Sequence, residues 1–462
     1  MVETISPDYL VIGAGAMGMA FVDTLITDTK ATVVMVDRYA RPGGHWTIAY
    51  PFVRLHQPSE FYGVNSRPFG EGKIDQVGWN KGLTELATVD EVCAYYSKVM
   101  HQTFLPSGQV VYYPKHEYLG EGLFRSIVTN KTFRVGQNTR IVDATYMNVK
   151  VPAMNPPSYE VSEKVSLITP NELPNIARPY GGYTVVGAGK TGVDACLWLL
   201  ANGVDPKDIL WIMPRDSWFI ERGEFQPGSA FAADTAARVN NIGEATLAAS
   251  SPKDLFTRLE ACGHLMRMDK NVWPTMFRCA TVSFAELEQI KKIGTILRQG
   301  RVVRLGPNEV VLEKGTYKPV DDALYIDCTA DALAKLEPVS VFRGKLITLQ
   351  SVRHCQQVFS AAFIAHVEAT YDIDEKKNEL CRVIPHPDEH LDYITVNLKT
   401  YQNGLSWNAE PKTAAWLRQA RLDWFGTLVP APEEPAEAAE FYARLVARTN
   451  AICAKLNQLS NF

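Results

Sequence analysis

Residues able to do chemistry cluster first in Gly13-Ala14-Gly15-Ala16-Met17-Gly18, between the apolar run Tyr9–Ile12 and a helical stretch, Met19–Ile26. A G-x-G-x-x-G turn from a buried strand into a helix suits the approach of a pyrophosphate. Gly13 permits the tight turn, Gly15 leaves the backbone open to the phosphates, and Gly18 lets helix and strand pack closely. Ala16 and Met17 open the helix, whose free amides and positive dipole end face the anion. The next apolar run, Thr32–Val36, ends on Asp37, placed to accept hydrogen bonds from ribose hydroxyls, with Arg38 after it. Gly44, His45 and Trp46 follow in a loop that the Gly43-Gly44 pair allows to run close by, with the indole as a flat wall.

The arrangement returns at Gly187-Ala188-Gly189-Lys190-Thr191-Gly192, after the strand-like Tyr183–Val186 and before a helix that Asn202-Gly203 stops. The next strand, Ile209–Met213, leads through Pro214 to Arg215 rather than to an acid. Asp37 suits free 2′- and 3′-hydroxyls and repels a 2′-phosphate, whereas a guanidinium pairs with one. The first site is therefore assigned to FAD and the second to NADPH rather than NADH. Lys190 and Thr191 are placed to reach the pyrophosphate. Gly187, Gly189 and Gly192 repeat the roles of Gly13, Gly15 and Gly18.

A flavin and a nicotinamide in one chain imply hydride transfer between them, and then an outlet at a disulfide, a small acceptor or dioxygen. The cysteines, at positions 93, 196, 262, 279, 328, 355, 381 and 453, include no C-x-x-C. The closest two, Cys262 and Cys279, stand seventeen positions apart. This spacing signals neither a zinc site nor a redox disulfide, so buried reduced thiols are expected. Dioxygen or a small acceptor is left as the outlet.

Positioning these residues requires an α/β chain with two Rossmann-like domains, the second inserted in the first. The expected limits are 1–180 and 320–400 for the FAD domain, 181–319 for the NADPH domain with a helical insert, and 401–462 for a C-terminal helical extension. Thr47–Gly70, rich in aromatic residues and proline, reads as a functional irregular loop. Val89–Met100 has helical spacing, and Phe124–Val135 reads as a hairpin turning at Thr129-Asn130. Pro152–Pro179 reads as a linker, and Gly223–Arg298 as mostly helical. Asp327-Cys328-Thr329 rhymes with Asp143-Ala144-Thr145. The polar stretch Gln350–Gln357 is expected to return to the flavin ring and to bring Arg353 or Gln356 to it. After a break at Pro430–Pro435, a helix over Ala436–Leu456 carries a packing stripe of Phe441, Leu445 and Ile452.

With 462 residues, 46% of them hydrophobic and 21% charged, the chain has the composition of a globular protein of two or three domains. A formal net charge of −4 gives no electrostatic case for nucleic acid or an anionic membrane surface. Met1–Pro7 has no secretory pattern, and the most apolar run outside the strands, Val358–Val367, is too short to span a bilayer. A cytoplasmic protein with a small-molecule substrate is expected.

The motifs GAGAMG with Asp37, Gly43-Gly44-His45-Trp46, Pro58-Ser59-Glu60 and GAGKTG with Arg215 resemble those of two-dinucleotide-domain flavoproteins. Within that group they are most similar to the flavin-containing and Baeyer–Villiger monooxygenases, over roughly residues 8–220. The resemblance implies that a flavin C4a-hydroperoxide forms and passes one oxygen atom of dioxygen to a small organic substrate while NADP⁺ stays bound. The family's F-x-G-x-x-x-H motif is absent from Pro152–Tyr180. His56, followed by Gln57, stands where the family carries an Asn. His56 and Gln57 are thus the expected catalytic donors, with Tyr62, Asn65 and Trp46 as walls. An NADPH oxidase or reductase with a small acceptor, or a non-catalytic flavoprotein, are the alternative readings.

Overall fold

The structure is a computed structural model that describes residues 2–330, 336–424 and 434–461. Its first large sheet has six strands in the order Phe342–Arg343, Leu346–Thr348, Arg140–Asp143, Tyr9–Ile12, Val33–Asp37 and Val110–Pro114. Tyr9–Ile12 is central and runs parallel to both neighbours. Val33–Asp37 is buried along its whole length, as its unbroken apolar run requires of a parallel strand covered on both faces. A second sheet of five parallel strands is ordered Ser166–Ile168, Ala323–Asp327, Gly182–Val186, Ile209–Ile212 and Thr295–Leu297. Every strand of it comes from chain lying between Arg140–Asp143 and Phe342–Arg343 of the first.

Strand pairing moves the expected domain limits. Ser166–Ile168 pairs with Leu324–Ile326, and Glu160–Val161 with Arg304–Leu305. The proline-rich stretch is therefore more than a linker, because its apolar Leu167 and Ile168 complete an edge of the second sheet. Ala323–Asp327 also belongs there, so the chain returns to the first sheet after Asp327 and not near 320.

The stretch Gly223–Arg298, expected to be mostly helical, is divided. It forms helices Ala232–Ala248, Pro252–Ala261 and Phe284–Ile290, but Met276–Val282 is a strand beside Ser217–Glu221. Met-Phe-Arg-Cys-Ala-Thr-Val has no helical period, and its aromatic and β-branched residues favour a buried strand. The helix Val89–Val99 begins with the capping box of Thr88 and Glu91, and the hairpin turns where Asn130 takes φ 60.

Two helices close the first sheet on one face. Ala16–Asp28 packs along Gln357–Thr370, and almost every residue of both is buried. Ala20, Ala361, Ala362 and Ala365 are fully enclosed, small enough to bring the two backbones together. Each buried Phe or Leu beside them contributes about 1.5–3 kcal/mol of transfer free energy. The C-terminal helix, Pro435–Leu459, packs only through its second half: Ile452, Leu456 and Leu459 are buried, while Leu445 of the expected stripe stays half exposed. The break at Pro430–Pro435 lies largely outside the described residues. Among the described residues no helix is long and apolar enough to cross a membrane.

Candidate dinucleotide site

A cavity of about 820 Å³ starts at the first glycine loop. Gly13, Gly15, Ala16 and Met17 border it at one side, with Asp37 and Arg38 at the strand tip. Gly44, His45, Trp46, His56 and Gln57 continue the wall, and Lys190 and Asp194 reach it from the second glycine unit. The first turn of Gln357–Thr370 also borders it, with Cys355 and Gln356. Gly187, Gly189, Thr191, Gly192 and Arg215 lie outside it.

The glycine loops are built as the sequence leads one to expect. Gly13 has φ +98 and Gly187 φ +117, a left-handed backbone that suits glycine. A Cβ on Gly18 would sit 2.1 Å from the carbonyl oxygen of Gly13, and one on Gly192 2.2 Å from that of Gly187. Beneath each loop lies the same turn. Thr145 donates from its amide and hydroxyl to Asp143 Oδ1 at 2.8 and 2.7 Å. Thr329 does the same to Asp327 Oδ1 at 3.1 and 2.6 Å. Both loop helices start at a glycine N-cap with no side-chain cap and no acid in the first turn, so the amides are left for an anion.

Asp37 is buried, and its carboxylate accepts from the amides of Ala14 at 2.6 Å and Tyr39 at 2.7 Å. Burial pushes its pKa up, and those two amides pull it back. A carboxylate has further lone pairs, so it can still accept from a ribose. Arg215 sits differently. Its guanidinium donates to Asp388 at 2.9 Å and to Glu389 at 2.6 Å, so a 2′-phosphate there has two carboxylates to compete with. Lys190 is ion-paired to Asp194, which also accepts from the Tyr50 hydroxyl at 2.7 Å.

His56 joins the cavity to the inserted segment. Its Nδ1 accepts from the Thr281 amide at 3.3 Å, which places the ring proton on Nε2. Burial, and then the charges of Lys190 and Arg222, hold its pKa down to about 3, so it is a neutral donor at ordinary pH. Burial alone lowers His45 to about 4. The Trp46 indole donates to the Tyr62 hydroxyl at 2.8 Å, fixing both rings in the wall. Gln356 also borders the cavity, and its buried Oε1 has no partner among the described residues. Arg353 does not border the cavity itself: it pairs with Asp423 at 2.7 Å and lies over the ring of Phe359, which does. Asn65 donates to Thr24, accepts from the Leu422 amide and does not border the cavity.

Several residues that shape the site carry no motif. Buried Arg222 donates to the His56 carbonyl at 3.0 Å, to Asn80 at 2.9 Å and to Glu286 at 2.7 Å. Arg421, from the C-terminal section, donates to the carbonyls of Glu60, Tyr62 and Val64 and so holds the irregular loop. These contacts span from 64 to more than 350 residues of sequence, beyond the reach of local spacing. The reading of most cysteines as reduced thiols holds for six of them, but the expectation of no disulfide is corrected: Cys279 and Cys355 form one across 76 residues. Local spacing missed it because the fold, and not the sequence, brings the pair together.

Fit to FAD rests on this chain's own groups: the uncapped loop helix, the acid at the strand tip, and the Gln356 oxygen, which has no partner among the described residues. A scan against models of known protein families gives no match. The chain is 53% identical over 428 residues to proteins of Mycobacterium tuberculosis and Mycobacterium bovis, each described as uncharacterized. The match covers 93% of this chain and 79% of each relative. Among solved structures, ε-caprolactone-bound cyclohexanone monooxygenase superposes with a TM-score of 0.50 at 13% identity, covering 96% of this chain and 99% of that one. That likeness establishes a common fold. NADP⁺-bound cyclohexanone monooxygenase from Rhodococcus sp. Phi1 gives a TM-score of 0.47 at 12% identity, covering 80% and 84%. A flavin-containing monooxygenase from Stenotrophomonas maltophilia gives 0.44 at 13% identity, covering 82% and 100%.

Proposed function

The chain belongs to one family with the mycobacterial proteins it matches, and on that premise we propose that it is an FAD-dependent, NADPH-using oxidoreductase of monooxygenase type. Its substrate is a small organic molecule, and a cyclic ketone is the first class to test. The observation that carries the reading is the continuity of the cavity: one space runs from Asp37 along the first glycine loop to His56 and Gln356, and meets Lys190 and Asp194 of the second unit. When bound, FAD would supply two-electron chemistry between a nicotinamide and dioxygen.

Gly13, Gly15, Ala16 and Met17 hold the pyrophosphate of FAD, with Asp37 on its ribose, Arg38 beside it, and Gly44, His45 and Trp46 closing the loop side. Gly187, Gly189, Lys190, Thr191 and Gly192 receive NADPH, with Arg215 exchanging its carboxylate partners for the 2′-phosphate. His56 keeps a proton on Nε2 for hydrogen bonding, and Gln57 offers a second donor, its side-chain amide. Because His56 is neutral, it orients and donates a hydrogen bond without acting as a strong acid.

Anaerobic mixing with NADPH and with NADH, followed by readmission of oxygen with cyclohexanone present, tests the reading. NADPH bleaches the flavin faster than NADH, and an oxygen atom from ¹⁸O-labelled dioxygen appears in the product. Full release of the electrons as peroxide, with every ketone tried, would place the chain with the oxidases.

A further inference from the structure

The Cys279–Cys355 disulfide stands where two parts of the fold meet. Cys279 lies on the strand Met276–Val282 of the inserted segment, and Cys355 lies just before the helix Gln357–Thr370 that covers the first sheet. Register between Ser217–Glu221 and Met276–Val282 breaks there: Trp218 faces Phe277 but Ile220 faces Thr281. The extra residues form a bulge that turns Cys279 out of the ladder at φ 55. Cys355 takes φ 57, also in the left-handed region that non-glycine residues rarely occupy. Two uncommon backbone conformations thus serve one contact.

The sulfurs differ in surroundings. Cys279 is buried among apolar neighbours, whereas Cys355 is only partly buried and borders the dinucleotide cavity next to Gln356 and Gln357. A ring nitrogen of His354 lies within 4.8 Å of both sulfurs. His354 is within hydrogen-bond distance of the Thr400 hydroxyl, 3.1 Å from its Nδ1.

We propose that Cys279 and Cys355, with His354 beside them, form a thiol–disulfide redox centre in the wall of the cavity, storing two electrons beyond those held by the flavin. The proposal rests on the assignment of FAD and NADPH to that cavity. Reduction breaks the S–S bond, takes up two electrons and two protons, and leaves two thiols. The electrons come from NADPH, oxidised to NADP⁺, by way of the flavin, which returns to its oxidised form. Cys355 meets the donor because it borders the cavity, and His354 relays a proton to the thiolate as it forms. Its neutral imidazole suits that positioning role, since burial and then His386, His264 and Arg353 hold its pKa down to about 4.

The test uses the flavin-loaded protein under anaerobic conditions, with alkylation and peptide mapping as the readout. Without reductant, Cys279 and Cys355 are recovered as a linked peptide pair. Titration with NADPH consumes about two equivalents per flavin, one for the flavin and one for the disulfide, and both cysteines become alkylable. In Cys279→Ser and Cys355→Ala uptake falls to about one equivalent. His354→Gln keeps the stoichiometry but slows the second phase, with a changed pH profile for that phase alone. Dithiothreitol opening the link while NADPH does not, with the flavin fully bleached, would overturn the proposal and leave the flavoprotein reading intact. If NADPH fails to bleach the flavin, the flavin is photoreduced, and alkylation of the pair is scored in the same way. One bound zinc per chain, lost in Cys279→Ser, would also overturn it in favour of a metal site.

Discussion

The two glycine units share a backbone and differ in what surrounds it. In the first, Gly44 at φ +59 crowds the loop so closely that a Cβ on it would lie 2.9 Å from Gly15 Cα. In the second, a Cβ on Gly189 would meet nothing within 4 Å. The acid at the first strand tip turns back on its own loop to accept from Ala14, while the arginine after the second strand reaches out to Asp388 and Glu389. The first unit is closed and braced internally, as suits a cofactor that stays. The second is open and held by replaceable ion pairs, as suits one that comes and goes.

Substitution of the third glycine is the strongest way to break this comparison. Gly18→Ala and Gly192→Ala each drive a methyl into a carbonyl, which costs about 1–3 kcal/mol or more. Gly18→Ala is expected to purify without flavin, and Gly192→Ala to keep its flavin colour while losing NADPH binding, both read by absorbance and titration calorimetry. If both lose flavin equally, the units are not separate sites. Asp37→Ala comes next: it removes the acceptor of two buried amides, and charged hydrogen bonds of this kind contribute about 1.5–3 kcal/mol. Flavin affinity should fall at least tenfold, with NADPH affinity unchanged in protein reloaded with FAD.

A third effect belongs to the first unit and its walls. Burial holds His45 and His354 to about 4 and His56 to about 3, all below the ordinary value of 6.5. Below pH 6.5 the unfolded chain binds protons that the folded chain refuses, so stability is full above that pH and falls as the pH drops toward 4. Each such histidine contributes a slope of up to about 1.4 kcal/mol per pH unit. Urea midpoints measured from pH 7 to pH 4.5 should fall steeply, and His56→Gln should flatten the curve by one proton.

The smallest effect is expected at Arg215. Arg215→Ala should reduce the NADPH-over-NADH preference only several-fold, since partly exposed ion pairs contribute about 1 kcal/mol or less. Ratios of kcat/KM for the two dinucleotides provide the check. An unchanged ratio would remove Arg215 from the second site.

Local sequence made the geometry of the two loops legible because each is written within one strand, turn and helix. The turns at Asp143–Thr145 and Asp327–Thr329 were legible for the same reason, since Asp and Thr two positions apart make their own bonds. Arg222, Arg421 and the Cys279–Cys355 link were not. Their partners lie dozens to hundreds of residues away, and no periodicity connects them. Of the two residues expected to come to the cavity from the polar stretch, Gln356 borders it, while Arg353 is bonded to Asp423 and lies over Phe359, a contact the sequence does not announce. The mixed insert shows a different limit, where the strand pattern of one seven-residue segment is lost in a stretch read as a whole for its helical parts.

The loop closed by Cys279 and Cys355 has a consequence for how the chain comes apart. It contains Ala323–Asp327 of one large sheet and Leu346–Thr348 of the other. Closing 76 residues removes about 4.5 kcal/mol of chain freedom from the unfolded ensemble in the simple entropy account. Strands of both sheets share that restricted loop, so melting either one leaves ends still tethered to the other. Heated with the link intact, the two halves should melt as a single cooperative unit, and cutting the link should let the more open half melt first.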